Sequence, residues 1–235
     1  MRVHALLFDV FGTVVDWRGS VVRAGQRLGR GRPWDIDWGE FADLWRREGY
    51  LEPTAQIARG ERPWERVDVL HRRKLDELVV RFGLAGLSEA ETGDFNQVWR
   101  RLDPWPDVVQ GLHRLRKRFL VAPLSNGDFA LLTNMAKHAG LPWDCIVSTE
   151  LFKRFKPDPQ VYRDAVDLLG LDINATMMVS AHPRDLEGAR SAGRRAAYID
   201  RPLEFGPASR PKTTPGSPYE VSAADLADLA DKLGA

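Results

Sequence analysis

The sequence predicts an α/β fold: a doubly wound, mainly parallel sheet whose chain is interrupted early by a long helical insertion. Three observations predict it. Short apolar runs rich in strand formers end at Asp9, Ser125 and Ser180, each followed by turn or helix-start residues. Between the later runs, helical periodicity ends at stop signals such as Gly170 and Gly193. From Asp16 to about Asp103 the strand-like runs disappear, and apolar residues recur at helical spacing instead.

The first element is the strand Val3 to Phe8, which delivers Asp9 to the C-terminal edge of a sheet, where open α/β sheets keep their chemistry. The helical section follows. It carries Phe41, Leu44, Trp45, Tyr50 and Leu51 in one periodic segment and Val67, Leu70, Leu75, Leu78, Val79 and Phe82 in another. Six Trp residues fall here, at 17, 34, 38, 45, 64 and 99, and large aromatics at such spacing are chiefly core. Asp103-Pro104-Trp105-Pro106 closes the section, because two prolines forbid helix continuation.

Beyond that boundary the pattern alternates. A helix from about Asp107 to Arg118 leads into a strand over 119–124 that empties into Ser125-Asn126-Gly127-Asp128, and a helix then runs through Met135. A short strand is expected near Cys145 to Val147. Asp158 is placed to N-cap a helix with Pro159 at its first position. Thr176 to Val179 reads as a buried strand opening into Ser180-Ala181-His182-Pro183-Arg184-Asp185, with a helix from there to Gly193. Ala196 to Ile199, Tyr219 to Val221 and a helix from Ala223 to Leu233 complete the chain, around a Pro-, Gly- and Ser-rich stretch over 201–218.

Composition narrows the function. The 235 residues are 43% hydrophobic, enough for a full core, and 34 Lys and Arg against 33 Asp and Glu leave a net charge of +1. No strong field favours nucleic acid or an anionic membrane. One cysteine, Cys145, excludes an internal disulfide. No apolar run approaches the roughly 18 residues of a membrane span, and the N-terminus lacks a secretory pattern, so the expected compartment is the cytoplasm. Parallel strands with right-handed crossovers should gather Asp9 and Thr13, Ser125 and Asn126, and Ser180, His182 and Asp185 at one edge, with Lys156 on a nearby loop. Each has a plain alternative as a turn former, cap or solvated charge. Four polar strand ends and loops at one edge are harder to obtain that way.

Asp9-Val10-Phe11-Gly12-Thr13, Leu124-Ser125-Asn126-Gly127, Lys156-Pro157-Asp158 and the loop Val179 to Asp185 resemble the four ordered motifs of the haloacid dehalogenase superfamily. The resemblance implies a catalytic core over 1–15 and 104–235 and a helical cap over 16–103. More narrowly, Asp16-Trp17-Arg18, Leu44-Trp45-Arg46 and Lys156-Pro157-Asp158 followed by Tyr162 resemble the type II enzymes that hydrolyse (S)-2-haloacids. That family implies an aspartate nucleophile, an Arg from the cap, no metal and no other cofactor. The expected partners are a small haloacid and at most a second copy of the chain.

The residues themselves weigh against the superfamily's other main chemistry, phosphate ester hydrolysis. Such enzymes resemble Asp-x-Asp-Gly-Thr, with a second Asp as general acid and a further acid for Mg²⁺ in the fourth motif. Here those positions are Phe11 and Ser180. Halide leaves as a stable anion and needs only a donor-lined pocket. The expectation is therefore attack by Asp9 on C2 with inversion, then hydrolysis of the aspartyl ester by water handled by Asp185 with help from His182. Lys156 should keep Asp9 ionised. Arg46 and Asn126 should cradle halide. Thr13, Ser125, Ser180, Tyr162 and the backbone amides of Val10 and Phe11 are the expected substrate-binding groups. His182 stands where better-known type II enzymes resemble Asn, and this version resembles a subgroup in which some members accept fluoroacetate. Two alternatives remain at this stage: a phosphatase or phosphonate hydrolase of the same superfamily, and a catalytically silent member that binds a ligand.

Overall fold

The computed structural model describes residues 3–207 and 218–235. Six parallel strands form one sheet in the order β3-β2-β1-β4-β5-β6, with β1 at Ala5–Phe8, β2 at Leu120–Ser125, β3 at Val147–Ser148, β4 at Thr176–Ser180, β5 at Arg195–Ile199 and β6 at Val221–Ala223. β1 lies between β2 and β4, Leu7 facing Ala122 on one side and Met178 on the other. All four β1 residues are fully buried, as its uninterrupted apolar sequence requires. Each such large side chain contributes on the order of 2 kcal/mol through burial.

Helices cover both faces. α6 (Val108–Leu115), α7 (Phe129–Ala139) and α10 (Leu226–Leu233) pack with Leu6, Phe8, Val121 and Val179. On the opposite face α8 (Pro159–Leu168) and α9 (Pro183–Ser191) pack with Leu7, Ala122, Leu124 and Met178. The strand order reverses direction between β1 and β4, which opens a crevice at their C-terminal ends.

The chain leaves the sheet region after β1 and returns beside itself. Val15 forms an antiparallel bridge with Pro104, Asp16 N–H donates to the Asp103 carbonyl at 2.9 Å, and Trp105 N–H donates to the Val14 carbonyl at 3.0 Å. Between these crossings lie α1 (Trp17–Leu28), α2 (Trp38–Arg46), a π-helical turn (Arg47–Leu51), α3 (Glu52–Ala58), α4 (Val67–Arg81), α5 (Glu89–Asn96) and a 3₁₀ turn (Gln97–Arg100). Their starts are written locally. Asp16 and Asp37 accept backbone N–H groups of α1 and α2, and Ser88 with Glu91 forms a capping box on α5. Trp17, Trp45 and Trp99 are fully buried, and the apolar cluster they join continues into the face carrying Leu6 and Phe8.

The differences from the sequence-based expectations lie at ends. α6 stops at Leu115 because Arg116 to Arg118 form a turn before β2. β3 begins at Val147, two residues later than the expected Cys145, and β6 at Val221. α10 starts at Leu226, since Asp225 caps it through the Asp228 amide. Of the Pro-, Gly- and Ser-rich stretch, residues 208–217 lie outside the described residues. Among the described residues no helix is long and apolar enough to cross a membrane.

Candidate active site

β1 ends at Asp9, and the following turn folds Thr13 back onto it. Thr13 Oγ1 donates to Asp9 Oδ2 at 2.8 Å and accepts the Ala181 amide at 2.9 Å, which ties the ends of β1 and β4 together. Gly12 makes the turn with φ +91°, and a Cβ there would lie 2.3 Å from Glu204 Oε1. No other residue fits. None of the hydrogen bonds among the described residues uses the amides of Val10 or Phe11.

Lys156 reaches the same point from the loop before α8. Its Nζ donates to Asp9 Oδ1 at 3.0 Å and to Asp185 Oδ2 at 2.7 Å. Asn126, past the end of β2, holds the Lys156 backbone: Oδ1 accepts the Lys156 amide at 2.8 Å and Nδ2 donates to its carbonyl at 3.3 Å. One Asn126 N–H is thereby committed to positioning, leaving the other for a ligand. Burial opposes ionisation of Asp9, but Lys156 and His182 outweigh it and hold the carboxyl far below the usual carboxylate range. Burial likewise opposes the Lys156 charge, and Asp185 and Asp9 raise its affinity for the proton above the ordinary value.

His182 occupies the fourth side of Asp9. Its Nδ1 lies 3.0 Å from Asp9 Oδ2 and its Nε2 2.9 Å from Glu204 Oε1. Two carboxylates facing two ring nitrogens require a proton on each. Although burial works against the charge, these contacts push His182 up to about 10. A doubly protonated ring has no lone pair for a water proton, so in this state His182 faces Asp9 as a donor. Glu204, absent from the expectations, is itself buried and also accepts Trp17 Nε1–H at 3.3 Å. It follows β5 in an irregular stretch, where no periodicity or motif sets it apart.

Of the expected substrate-contacting residues only Asn126 lines the cavity: Thr13, Val10 and Phe11 are buried next to Asp9, and Tyr162, Ser125 and Ser180 are engaged within the core. Tyr162 is fully buried on α8, where its hydroxyl donates to Asp185 Oδ1 at 2.6 Å, and burial followed by Asp185 raises its phenol pKa. Ser125 Oγ accepts the Gly127 amide at 3.2 Å, and Ser180 Oγ accepts the His182 amide at 3.1 Å. Their hydroxyls shape the two strand-end turns.

Arg46 comes from the other direction, at the end of α2. The π-helical turn that follows brings Tyr50 under it, and the guanidinium carbon sits 4.1 Å from the Tyr50 ring centroid, 5.1 Å from Phe11 and 5.4 Å from Trp17. Arg46 is 6% exposed, and its Nη1 has no hydrogen-bond partner among the described residues. A cavity of about 200 Å³ lies against Asp9, Arg46, Asn126, Lys156, His182, Asp185 and Glu204, with Tyr50, Leu51, Thr54, Ala55, Pro157, Arg184 and Phe205 completing the wall. A buried cation and an ionised carboxylate on one small cavity wall are chemically suited to a small anion with an electrophilic carbon.

Residues 3–193 match the family model for haloacid dehalogenase-like hydrolases. The chain belongs to this family. Haloacid dehalogenase-like relatives include an (S)-2-haloacid dehalogenase from Pseudomonas sp. strain YL, 31% identical with 85% of this chain and 83% of the relative covered. Another is the (S)-2-haloacid dehalogenase of Xanthobacter autotrophicus, 30% identical over 85% of this chain and 76% of its own. Among solved structures, an L-2-haloacid dehalogenase superposes with a TM-score of 0.92 at 41% identity, covering 99% of both chains. A defluorinating L-2-haloacid dehalogenase gives a TM-score of 0.93 at 38% identity, covering 99% of this chain and 96% of that one.

Proposed function

We propose that the protein is a hydrolase that converts short (S)-2-haloacids to 2-hydroxyacids through an aspartyl ester on Asp9. The observation that carries this reading is the shared cavity, whose wall joins the ionised Asp9 carboxylate to the buried Arg46 side chain. In this reading residues 16–103 are the cap and 1–15 with 104–235 the catalytic core.

Asp9 attacks C2 from the face opposite the halogen. The new C–O bond forms as the carbon–halogen bond breaks, C2 inverts, and the halide departs toward Arg46 and the remaining N–H of Asn126. The amides of Val10 and Phe11 hold the substrate carboxylate, while Thr13, whose one hydroxyl proton goes to Asp9 Oδ2, holds that oxygen. Lys156 keeps Asp9 charged until it reacts. Water then attacks the Asp9 carbonyl carbon, losing a proton to Asp185, which Lys156 and Tyr162 orient through its two oxygens. Product release returns the carboxylate.

The site does not fit the Mg²⁺-dependent branch of the family. Lys156 Nζ lies within 3.0 Å of Asp9 and 2.7 Å of Asp185, where a bridging cation would need those same oxygens. Phe11 also leaves the leaving group without its acid.

Halide release from (S)- and (R)-2-chloropropionate, bromoacetate and fluoroacetate tests the reading. Turnover of the (S)-enantiomer with chelator present, yielding (R)-lactate, is expected. Fluoroacetate belongs in the panel because the cavity is small and one neighbour at 38% identity is described as defluorinating. Phosphate release from an aryl phosphate without any halide release would replace dehalogenation by a phosphatase.

A further inference from the structure

The dehalogenation mechanism above leaves Glu204 unused, although it is buried against the reacting group's neighbour. Glu204 Oε1 receives His182 Nε2 at 2.9 Å and Trp17 Nε1 at 3.3 Å, and it fills the space that Gly12 leaves open. On the far side of the ring, His182 Nδ1 points at Asp9 Oδ2, the oxygen that Thr13 also donates to. Asp9 Oδ2 thus has two side-chain donors and Oδ1 has one, Lys156.

We infer that Glu204 is a positioning residue for the second half of the reaction: it keeps His182 doubly protonated and aimed, so that His182 and Thr13 form an oxyanion hole at Asp9 Oδ2. Oδ1, with fewer partners, is the attacking oxygen and becomes the ester oxygen. Oδ2 remains the carbonyl oxygen. When water adds to the Asp9 carbonyl carbon, the π pair moves onto Oδ2, where the two donors meet the new charge. One water proton passes to Asp185. Collapse restores the carbonyl, breaks the bond to Oδ1 and sends the second water proton to the departing alkoxide, giving the hydroxyacid. Asp185 returns its proton to solvent, and the books of atoms and charge close.

Glu204 is needed because ester formation erases the Asp9 charge. Until then two carboxylates favour the imidazolium, but in the ester only Glu204 directly faces the ring, while Lys156, Arg46 and Arg184 around the same cavity oppose a further cation. A neutral ring could present a lone pair to Oδ2 and repel the oxyanion. The indole N–H of Trp17 fixes the Glu204 oxygen in place from the α1 side.

The inference rests on the dehalogenase reading, and Glu204→Gln tests it separately. Gln keeps the size and an acceptor but removes the charge. In stopped-flow and steady-state assays with (S)-2-chloropropionate at pH 8.5, the variant should keep a stoichiometric halide burst within a fewfold of wild type. Its steady-state turnover should fall about a hundredfold, the scale of one lost oxyanion donor, and the ester should accumulate by intact-protein mass. Turnover should recover as pH is lowered and the ring is reprotonated, while wild type should hold its rate farther into alkali. His182→Ala, which removes the donor where Asn would keep an N–H, should show the same burst with slow turnover but no recovery at low pH, which keeps the test independent of folding defects in Glu204→Gln. Unchanged turnover and pH profile in Glu204→Gln, or burst and turnover falling together, would overturn the role of Glu204. Absence of halide release by wild type would instead overturn the dehalogenase reading.

Discussion

At the scale of single residues, Asp9 and Arg46 make the sharpest demands. Asp9→Asn would replace the carboxylate by an amide whose N–H faces donors, since Thr13, His182 and Lys156 all donate to this group. Halide release should drop below detection, and a single turnover of wild type in ¹⁸O-water should put label into Asp9 and not into the first product molecule. Label in that first product would mean direct attack of water on C2. Arg46→Lys should be as damaging as Arg46→Ala, each lowering turnover about a hundredfold, because a compact ammonium cannot spread over the Phe11, Trp17 and Tyr50 rings and still present a donor to the leaving halide. Arg47→Ala, whose guanidinium is exposed and paired with Glu48, should stay near wild type in the same assay. His182 also sets a pH dependence for stability. Its pKa is raised from 6.5 to about 10 in the folded state, so its contribution is complete below about 6.5 and lost as pH rises through 10. Thermal midpoints between pH 7 and 10.5 should fall more steeply for wild type than for His182→Asn.

At the scale of elements, the long insertion is held by a helix cap supplied from elsewhere in the chain. α4 begins at Val67 without a side-chain cap of its own, and Asp128, following β2, accepts the Val67 and Asp68 amides at 2.9 and 2.8 Å. Arg66 adds a 2.8 Å pair with Glu150, which also accepts the Phe129 amide. Burial pushes Asp128 up to about 6, the cost of putting a carboxylate there. Asp128→Ala should lose about 1 to 2 kcal/mol of capping and lower the melting temperature by roughly 3 to 6 °C. It should also raise KM by loosening the helices that carry Arg46; an unchanged melt and KM would make the contact incidental. This cap shows where the sequence is readable and where it is not. Asp16, Asp37 and Ser88 cap helices that begin one residue later, so their role is local and visible in the string. Asp128 serves a helix 60 residues earlier, and in sequence it looks like part of a turn. Likewise the ends of β1, β2 and β4 could be aligned from strand patterns alone because a parallel sheet forces them to one edge. Glu204 depends on a turn after β5 with no repeating geometry, and only its meeting with His182 and Trp17 gives it meaning. Ser125, Ser180 and Tyr162 mark the converse: motif position placed them near the site, while the direction of each side chain is decided by packing.

At the scale of the whole molecule, the insertion and the sheet share one apolar cluster, from Leu6 and Phe8 through Phe11 to Trp45 and Trp99. Phe11 meets Tyr50 at 5.5 Å and Trp99 at 6.2 Å between ring centroids, so the roof over Asp9 is continuous with the floor. Around that cavity Asp9, Asp185 and Glu204 oppose Lys156, His182, Arg46 and Arg184, three anionic groups to four cationic ones. The balance is uneven in space. Lys156 and His182 touch carboxylates directly, whereas Arg46 rests on aromatic faces with an idle donor. If Arg46 cradles halide as proposed, the resting protein should also bind inorganic chloride there, and ordinary salt should compete with its substrate. Sodium chloride should inhibit competitively where sodium sulfate at equal ionic strength does not, the divalent ion being too large and too hydrated for the niche. Chloride at ten times its dissociation constant should also stabilise the fold by about 1.4 kcal/mol, a gain readable as a rise in melting temperature that Arg46→Ala abolishes. An organism keeping such a catalyst in brine would thus run it partly poisoned by the same ion it liberates.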